Sequence, residues 1–174
     1  MLDTSVRNYP DRPVLISDQR RITYAQLLNS VYETQATFKK LGVKKGDKVA
    51  LMLPNIPEFV FCYLAIVCSG AVAVLLNTSS TPSELAYLLD NSDATLLITQ
   101  SSHEKKYREI ENKLSSCRSL YLADGPVSAA GADAMAIEND FPSVFIEPDD
   151  PAEIIFTSGL TGKPLGATLT HGNL

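Results

Sequence analysis

The sequence is poor in the residues that build metal centres and covalent active sites. It has three cysteines and two histidines among 174 residues. Cys62, Cys68 and Cys117 are odd in number and lack the spacing of metal ligands. We therefore predict buried free thiols in a reducing cytosol. No paired carboxylates, nucleophile–base pair or metal cluster can be assembled, so we assign no catalytic residue and no metal ligand.

The sequence also shows no pattern typical of a targeting segment and no strong charge excess. Met1 to Pro13 contains no apolar region, so the sequence indicates no signal peptide. A formal net charge of -5 argues against nucleic acid as a partner. Five lysines do cluster between residues 39 and 48. We interpret Lys39 and Lys40 as the basic end of a helix capped by Gly42, where cations complement the helix dipole.

One long apolar run could be mistaken for a membrane span. Residues 59–76 are almost uninterrupted apolar sequence, and about 18 residues is the lower limit for a transmembrane helix. Ser69 and Gly70 break the run in the middle. We therefore predict a core helix followed by a buried strand from Ala71 to Leu76, and no transmembrane span. The predicted location is the cytoplasm. A peripheral position at the inner face of the membrane is the alternative.

The sequence is otherwise that of a globular α/β protein. Its hydrophobic content is 45% and its charged content is 20%. Thr23 to Gln26 and Thr81 to Glu84 have the spacing of capping boxes, each followed by a helix. Asn55 is the predicted cap of a third helix. A fourth, charged helix is predicted from Ser101 to about Leu114.

Strands are expected between these helices, which predicts a largely parallel sheet. The predicted strands are Lys48 to Leu53, Ala71 to Leu76, Thr95 to Thr99, Leu120 to Leu122, and two more around residues 154–157 and 165–169. Residues 124–151 show no sustained period and are predicted to be a connector. The whole chain, 1–174, is predicted to be one truncated domain. Tyr24, Tyr63 and Tyr87 are predicted core residues, His103 a surface residue and His171 a structural one.

The most informative segment, residues 154–174, closes the chain. An apolar run leads into a loop rich in hydroxyls and glycines with one lysine. Glycines allow the backbone N–H groups to approach phosphate oxygens, while hydroxyls and lysine add donors and positive charge. The candidate nucleotide-binding residues are Thr157, Ser158, Gly159, Leu160, Thr161, Gly162 and Lys163. An ordinary turn between two strands has a similar composition.

A Walker A loop is excluded by spacing. That motif needs four residues between its first glycine and the Gly-Lys pair, whereas two residues separate Gly159 from Gly162. Pro164 stands where the magnesium-binding hydroxyl should be. A P-loop NTPase is therefore not the predicted class.

The loop does resemble another signature. Phe156 to Gly166, followed by Thr-His-Gly-Asn-Leu at the end of the chain, resembles the phosphate loop of adenylate-forming enzymes. Tyr9 to Ile16, Thr23 to Leu27 and Thr81 to Leu85 also match that superfamily in order and spacing, so the resemblance covers nearly all of the chain. Two positions depart from it. Leu160 stands where Ser or Thr is usual, and Leu165 where Lys is usual.

The resemblance implies the fold and the function. The fold would be the N-terminal portion of the large domain of an acyl-CoA synthetase. The parent protein would be a carboxylic acid–CoA ligase, most like a fatty-acid–CoA ligase, using ATP with Mg²⁺ and coenzyme A. The loop would hold the β- and γ-phosphates of ATP.

The same resemblance implies that much of the enzyme lies beyond residue 174. The adenine and ribose sites, the acidic residue near magnesium, the acyl pocket and the C-terminal domain come later in the family pattern. We therefore expect these 174 residues alone to be inactive and to bind ATP weakly. Two other hypotheses stay open: a non-catalytic binding or regulatory module, and an unrelated nucleotide-binding α/β domain. The acid substrate and the oligomeric state cannot be read from these residues.

Overall fold

The computed structural model describes residues 2–17, 20–124, 144–157 and 164–174. The N-terminal region holds three elements that the sequence patterns did not predict. These are helix α1 (Leu2–Asn8) and an antiparallel hairpin of β1 (Pro13–Ile16) and β2 (Arg21–Thr23). A bidentate ion pair from Arg20 to Glu58, with N–O distances of 2.7 and 2.9 Å, ties the hairpin to a later helix.

A regular alternation of helices and strands follows the hairpin. In order, the elements are α2 (Tyr24–Lys40), β3 (Lys48–Leu51), α3 (Pro57–Cys68), β4 (Val72–Leu75), α4 (Pro82–Asn91), β5 (Leu96–Thr99), α5 (Ser101–Arg108), a 3-10 helix (Glu111–Lys113), β6 (Ser119–Leu122), β7 (Pro151–Thr157), β8 (Leu165–Thr170) and a final 3-10 helix (His171–Asn173). The predicted order of helices and strands is confirmed.

The two predicted capping boxes are present. In α2 the backbone N–H of Thr23 donates to Gln26 Oε1 at 2.9 Å, and the Gln26 N–H donates back to Thr23 Oγ1. Thr81 and Glu84 make the same reciprocal pair at the start of α4. At the other end of α2, Gly42 has φ +84°, the left-handed conformation that glycine adopts without strain.

Six strands form the central sheet in the order β6-β5-β3-β4-β7-β8. The first five are parallel to their neighbours, and β8 is antiparallel to β7. The prediction of an α/β fold with a mostly parallel sheet is therefore confirmed. Because the strands β3 to β7 run the same way, their carboxyl ends all meet at one edge of the sheet.

Helices cover both faces of this sheet. Residues of α2 and α3, such as Phe38 and Ile66, form one buried cluster with alternate strand residues such as Val49 and Ile98. Residues of α4 and α5, such as Leu85 and Tyr107, form a second cluster on the opposite face. The burial of strands on both sides explains why their sequences read as continuous apolar runs.

Two helix boundaries differ from the predictions. Helix α3 begins at Pro57, and its N-cap is Ile56, which makes no side-chain hydrogen bond. Asn55 lies one residue too early to cap a helix that begins at proline, whose fixed φ suits the first helical position. Helix α5 ends at Arg108 rather than near Leu114. The chain then turns and buries Ile110 against the second cluster.

The carboxylate that caps α5 comes from a distant element. Asp124, which follows β6, accepts hydrogen bonds from the backbone N–H and the hydroxyl of Ser101 at 2.8 and 3.1 Å. The rest of the predicted connector, residues 125–143, lies outside the described residues. Residues 144–150 are a coil with one turn, and β7 begins at Pro151.

Two of the three cysteines are buried as predicted. Cys62 and Cys117 are buried, whereas Cys68 is exposed, because it lies on the last turn of α3 away from the core. Burial raises the pKa of the Cys62 thiol to about 12 and that of Cys117 to about 11, from an ordinary value of 9.0. A thiolate at either position would have to exist without water around it.

These shifts predict a loss of stability in alkali. The pKa of each thiol is higher in the folded protein than in the unfolded chain. The contribution of the thiols to the free energy of unfolding is therefore complete below pH 9, and it is lost as the pH rises toward 11–12. We expect the free energy of unfolding to fall between about pH 9 and 10, by at most about 1.4 kcal/mol per pH unit for each thiol. Urea titrations of the wild type and Cys62→Ala measure this. Identical slopes for the two proteins would contradict it.

Candidate nucleotide-binding site

The candidate site is the connection between β7 and β8. Because β7 is parallel to β4, its end at Thr157 lies at the carboxyl edge of the sheet, where open α/β sheets bind ligands. Thr157 lies opposite Leu165 in the β7–β8 ladder. Of the seven predicted nucleotide-binding residues the structure describes Thr157. The other six lie outside the described residues: Ser158, Gly159, Leu160, Thr161, Gly162 and Lys163.

Two side-chain hydrogen bonds fix the strand ends next to this connection. The Thr157 hydroxyl donates to the carbonyl oxygen of Leu165 at 3.3 Å. The Tyr87 hydroxyl of α4 donates to the carbonyl oxygen of Pro164 at 3.2 Å. A hydroxyl has one proton to donate. Thr157 would therefore donate to a phosphate only by giving up its bond to Leu165.

The predicted core tyrosines are half-buried, and two of them have polar roles. Tyr63 of α3 donates its hydroxyl to Glu153 Oε2 of β7 at 2.6 Å. Tyr87 donates to Pro164, as described above. Tyr24 is half-buried at the start of α2. The rings of Tyr63 and Tyr87 pack against the two buried clusters, as expected, whereas Tyr24 belongs to neither cluster, so its core assignment is not confirmed. The hydroxyls of Tyr63 and Tyr87 reach β7 and the connection that follows it.

The next two residues of the motif, Leu165 and Gly166, are not seen here as phosphate ligands. Gly166 allows close packing between the strands, and Leu165 is an exposed apolar side chain. A Cβ on Gly166 would lie 3.0 Å from Ile154 Cγ2 and 3.5 Å from Phe156 Cε1. The glycine therefore lets the side chains of β7 pack over the backbone of β8. Leu165 is 60% exposed and places an apolar side chain where the family pattern has a lysine.

The opposite end of the β7–β8 hairpin is also held by polar contacts. Lys45 Nζ lies 2.6 Å from Asp150 Oδ2 and donates to the Phe145 carbonyl at 2.8 Å. The hydrogen bond from Lys45 lowers the pKa of Asp150. The backbone N–H of His171 donates to the Asp150 carbonyl at 3.0 Å, and that of Gly172 donates to the Pro148 carbonyl. The structural role predicted for His171 agrees with this arrangement.

Two lysines near the hairpin, Lys45 and Lys106, make contacts that the sequence patterns did not predict. Lys45 was only noted as one of the five lysines clustered between residues 39 and 48. Lys106 of α5 donates to the carbonyls of Thr78 and Ser80 at 2.7 and 2.8 Å, and so braces the turn between β4 and α4. This turn follows β4, the strand next to β7, at the same edge of the sheet. No local pattern marks either contact, since the partners are 26 or more residues away in the sequence.

A shallow apolar groove of about 250 Å³ lies elsewhere, between β1 and the start of α3. Its walls include Ile16, Ile56 and Phe59, and none of its lining residues belongs to the β7–β8 hairpin. Within the described ranges, no group of three or more His, Cys, Asp or Glu side chains is placed to hold a metal ion. In the same ranges, no helix has the length and apolar character needed to cross a membrane.

Sequence comparisons find CoA ligases. The crotonobetaine/carnitine–CoA ligase of Escherichia coli is 36% identical over 162 residues, covering 88% of this chain and 31% of that protein. The corresponding ligase of Salmonella arizonae is 34% identical, covering the whole chain and 36% of that protein. The chain thus spans about a third of the length of the curated relatives it matches.

Two solved structures of similar fold are also CoA synthetases. A fatty acyl CoA synthetase of Mycobacterium tuberculosis has a TM-score of 0.82 at 27% identity, covering 98% of this chain and 34% of that one. The o-succinylbenzoate CoA synthetase of Bacillus subtilis, in complex with its acyl-adenylate, has a TM-score of 0.78 at 28% identity, covering 98% of this chain and 42% of that one.

The family assignment agrees with these similarities. Residues 2–174 match the family described as AMP-binding enzyme. This match includes the hairpin β1–β2, the parallel sheet and the β7–β8 connection. It also rules out the hypothesis of an unrelated nucleotide-binding domain. The chain belongs to the AMP-binding enzyme family.

Proposed function

We propose that this chain is the N-terminal part of an ATP-dependent carboxylic acid–CoA ligase, and that its residues 1–174 form one truncated domain. The observation that carries the proposal is the place of the phosphate-loop signature. It follows β7, whose end lies at the carboxyl edge of a parallel sheet, the edge at which such sheets bind ligands. The similarity to CoA ligases over 88% or more of the chain supports the reaction class.

The reaction would have two steps. In the first, a carboxylate oxygen of the acid attacks the α-phosphorus of ATP, the bond to the β-phosphate breaks, and pyrophosphate leaves. In the second, the sulfur of coenzyme A forms a thioester with the acyl carbon, and AMP leaves. The contribution of this chain would be the positioning and charge stabilisation of the phosphates during the first step.

The phosphate-binding residues would act mainly through backbone N–H groups and hydroxyls, with the charge of Lys163 added. They are Thr157, Ser158, Gly159, Leu160, Thr161, Gly162 and Lys163. Mg²⁺ would neutralise phosphate charge when bound. The family resemblance implies that the acidic residue near Mg²⁺ comes later in the family pattern than residue 174.

The proposed acid substrate is given as a chemical class, a carboxylic acid. The relatives named above act on different acids: crotonobetaine or carnitine, fatty acids and o-succinylbenzoate. We favour a fatty acid because the overall character of the sequence resembles that branch, with crotonobetaine and carnitine as the competing substrates. The cytoplasm remains the proposed location.

A non-catalytic module is the second candidate, and Leu160 and Leu165 favour it. They replace a hydroxyl and a lysine of the family pattern beside the phosphates. A hydroxyl–phosphate hydrogen bond contributes about 1.5–3 kcal/mol, so ATP affinity would fall about ten- to a hundredfold relative to the full pattern. A ligase that retains turnover would show that these losses are compensated elsewhere.

The test is ATP–pyrophosphate exchange with the full-length protein that contains this chain. We expect exchange with at least one acid in a panel of fatty acids, crotonobetaine and carnitine. Gly162→Ala should lower kcat/KM for ATP at least about tenfold, because its Cβ would keep phosphate from the backbone. Gly46→Ala lies far from the loop in sequence at a left-handed position with φ +85°, and it controls for the loss of stability that a Gly→Ala change can cause by itself. No exchange with any acid would favour the module, and exchange by residues 1–174 alone would refute the expected inactivity.

A further inference from the structure

The turn between β4 and α4 contains two backbone carbonyls that accept hydrogen bonds from one ammonium group. Lys106 Nζ of α5 donates to the Thr78 carbonyl oxygen at 2.7 Å and to the Ser80 carbonyl oxygen at 2.8 Å. Both distances lie at the short end of the N–H···O range, as is usual when the donor is charged. The bonds reach across 28 and 26 residues of sequence, so they tie α5 to a turn that precedes another helix.

The surroundings of this ammonium group favour a positive charge. Ser80 is 9% exposed and Lys106 is half-buried, so water has limited access to the contact. Glu84, in the first turn of α4, adds negative charge. Hydrogen bonds from Thr81 lower the pKa of Glu84 most, and the charge of Lys106 lowers that pKa further. The carboxylate therefore remains ionised close to the ammonium group.

The turn has the chemistry of a cation site. Two carbonyl oxygens that converge on one point repel each other, because both carry partial negative charge. A positive group between them removes this repulsion, as a bound cation does. Here the positive group is part of the protein, and the chain that carries it comes from a different helix.

We propose that the β4–α4 turn is a binding site for a primary ammonium group, and that the Lys106 side chain occupies it as a tethered ligand. The proposal goes beyond the ligase function and does not depend on it. A primary ammonium group is the matching chemistry, because it presents three N–H donors at one centre, whereas a quaternary ammonium ion presents none. Removal of the lysine side chain should open the site to a free primary alkylammonium ion.

An ordinary lysine, whose loss of side-chain entropy offsets its hydrogen bonds, is the competing explanation. Three variants separate the two explanations. Lys106→Ala removes the ammonium group and leaves empty the space that its chain filled. Lys106→Met removes the ammonium group but keeps an unbranched chain in that space. Lys105→Ala, at the exposed neighbouring residue, controls for the loss of a lysine from α5.

The first measurement is urea unfolding of this chain with and without propylammonium chloride, whose carbons and nitrogen replace the Cγ, Cδ, Cε and Nζ atoms that Lys106→Ala removes. We expect Lys106→Ala and Lys106→Met to raise the equilibrium constant for unfolding about tenfold or more, and Lys105→Ala to leave it close to the wild-type value. Propylammonium should stabilise Lys106→Ala alone. With an affinity of about 10 mM, about 0.1 M of the salt would lower the unfolding constant of that variant about tenfold.

Tetramethylammonium chloride at the same concentration controls for charge and ionic strength, since this ion has no N–H donor. An equal effect of the two salts on Lys106→Ala would overturn the proposal, as would an equal effect of propylammonium on Lys106→Met. Equal unfolding constants for the wild type and Lys106→Ala would also overturn it, because the tethered ammonium group would then contribute nothing.

A second measurement uses the wild type and remains decisive if Lys106→Ala does not fold. Hydrogen bonding and burial slow the exchange of protons with water. In heteronuclear NMR of the lysine side chains, the ammonium protons of Lys106 should exchange more slowly than those of Lys105. Equal exchange rates at the two ammonium groups would overturn the proposal.

Discussion

We expect Phe38→Ala to lower the free energy of unfolding by about 3–5 kcal/mol, the usual cost of removing a buried aromatic ring. Phe38 is 1% exposed in the cluster between α2, α3 and the sheet. Its ring meets that of Tyr121 edge to face, with the centroids 6.1 Å apart. The substitution would remove this contact and leave a cavity that the surrounding strands cannot close. Domains are stable by only about 5–15 kcal/mol, so this loss would be a large fraction of the total.

Urea unfolding followed by circular dichroism measures this loss. Phe145→Ala is the matched control, because the same atoms are removed from a side chain that is 77% exposed. Its midpoint should stay close to that of the wild type, with a change within about 0.5 kcal/mol. If Phe38→Ala does not fold, Phe38→Leu can be measured in its place. It should lower the free energy of unfolding by a smaller amount, because it leaves a smaller cavity. Equal midpoints for the Phe38 and Phe145 variants would contradict the assigned core.

Tyr63→Phe is expected to cost about 2–3 kcal/mol, although it removes a single oxygen atom. The Tyr63 hydroxyl donates to Glu153, a carboxylate on β7 that is only 6% exposed. Burial, and then the hydrogen bond to Glu153, raise the pKa of Tyr63, so the hydroxyl remains a donor at neutral pH. Within the described ranges, Glu153 has no other side-chain hydrogen bond. The variant would leave a buried acceptor unsatisfied, which costs more than the bond itself contributes.

A double variant separates the lost bond from the unsatisfied carboxylate. Tyr63→Phe combined with Glu153→Leu replaces both polar partners by apolar groups, a change that is often nearly neutral. Its midpoint should therefore lie closer to the wild type than that of Tyr63→Phe. Tyr9→Phe, at a residue that is 56% exposed, controls for the loss of a tyrosine hydroxyl. A Tyr63→Phe midpoint equal to that of Tyr9→Phe would show that the pair contributes little.

The helix starts and the strand positions were largely predictable from the sequence. The boxes at Thr23 and Thr81 act within four residues, so their pattern is visible in the local sequence. The buried strands could also be predicted, because each one is a short continuous run of apolar residues in the local sequence. The prediction failed at Asn55, where a favourable capping residue lies one position too early. It also failed at the charged helix α5, whose end depends on the burial of Ile110.

The phosphate-loop signature was likewise a property of the sequence, and it was sufficient to identify the family. The side-chain contacts to the strands on either side of it were not. Tyr87 to Pro164 and Tyr63 to Glu153 join residues that are 77 and 90 positions apart. Sequence patterns placed both tyrosines on apolar helix faces, which is correct for their rings. The partners of the hydroxyls could not be found, because they depend on which strand lies beside each helix.

By itself, the sequence determined the order of helices and strands, the buried character of the strands and the motif that follows β7. Tertiary structure alone decided that β7 lies beside β4, that β8 turns back against β7, and that α3 and α4 present Tyr63 and Tyr87 to this hairpin. The physical reason is the range of the interactions. Caps and periodicity act over a few residues, whereas strand order is chosen by the packing of whole helices on both faces of the sheet.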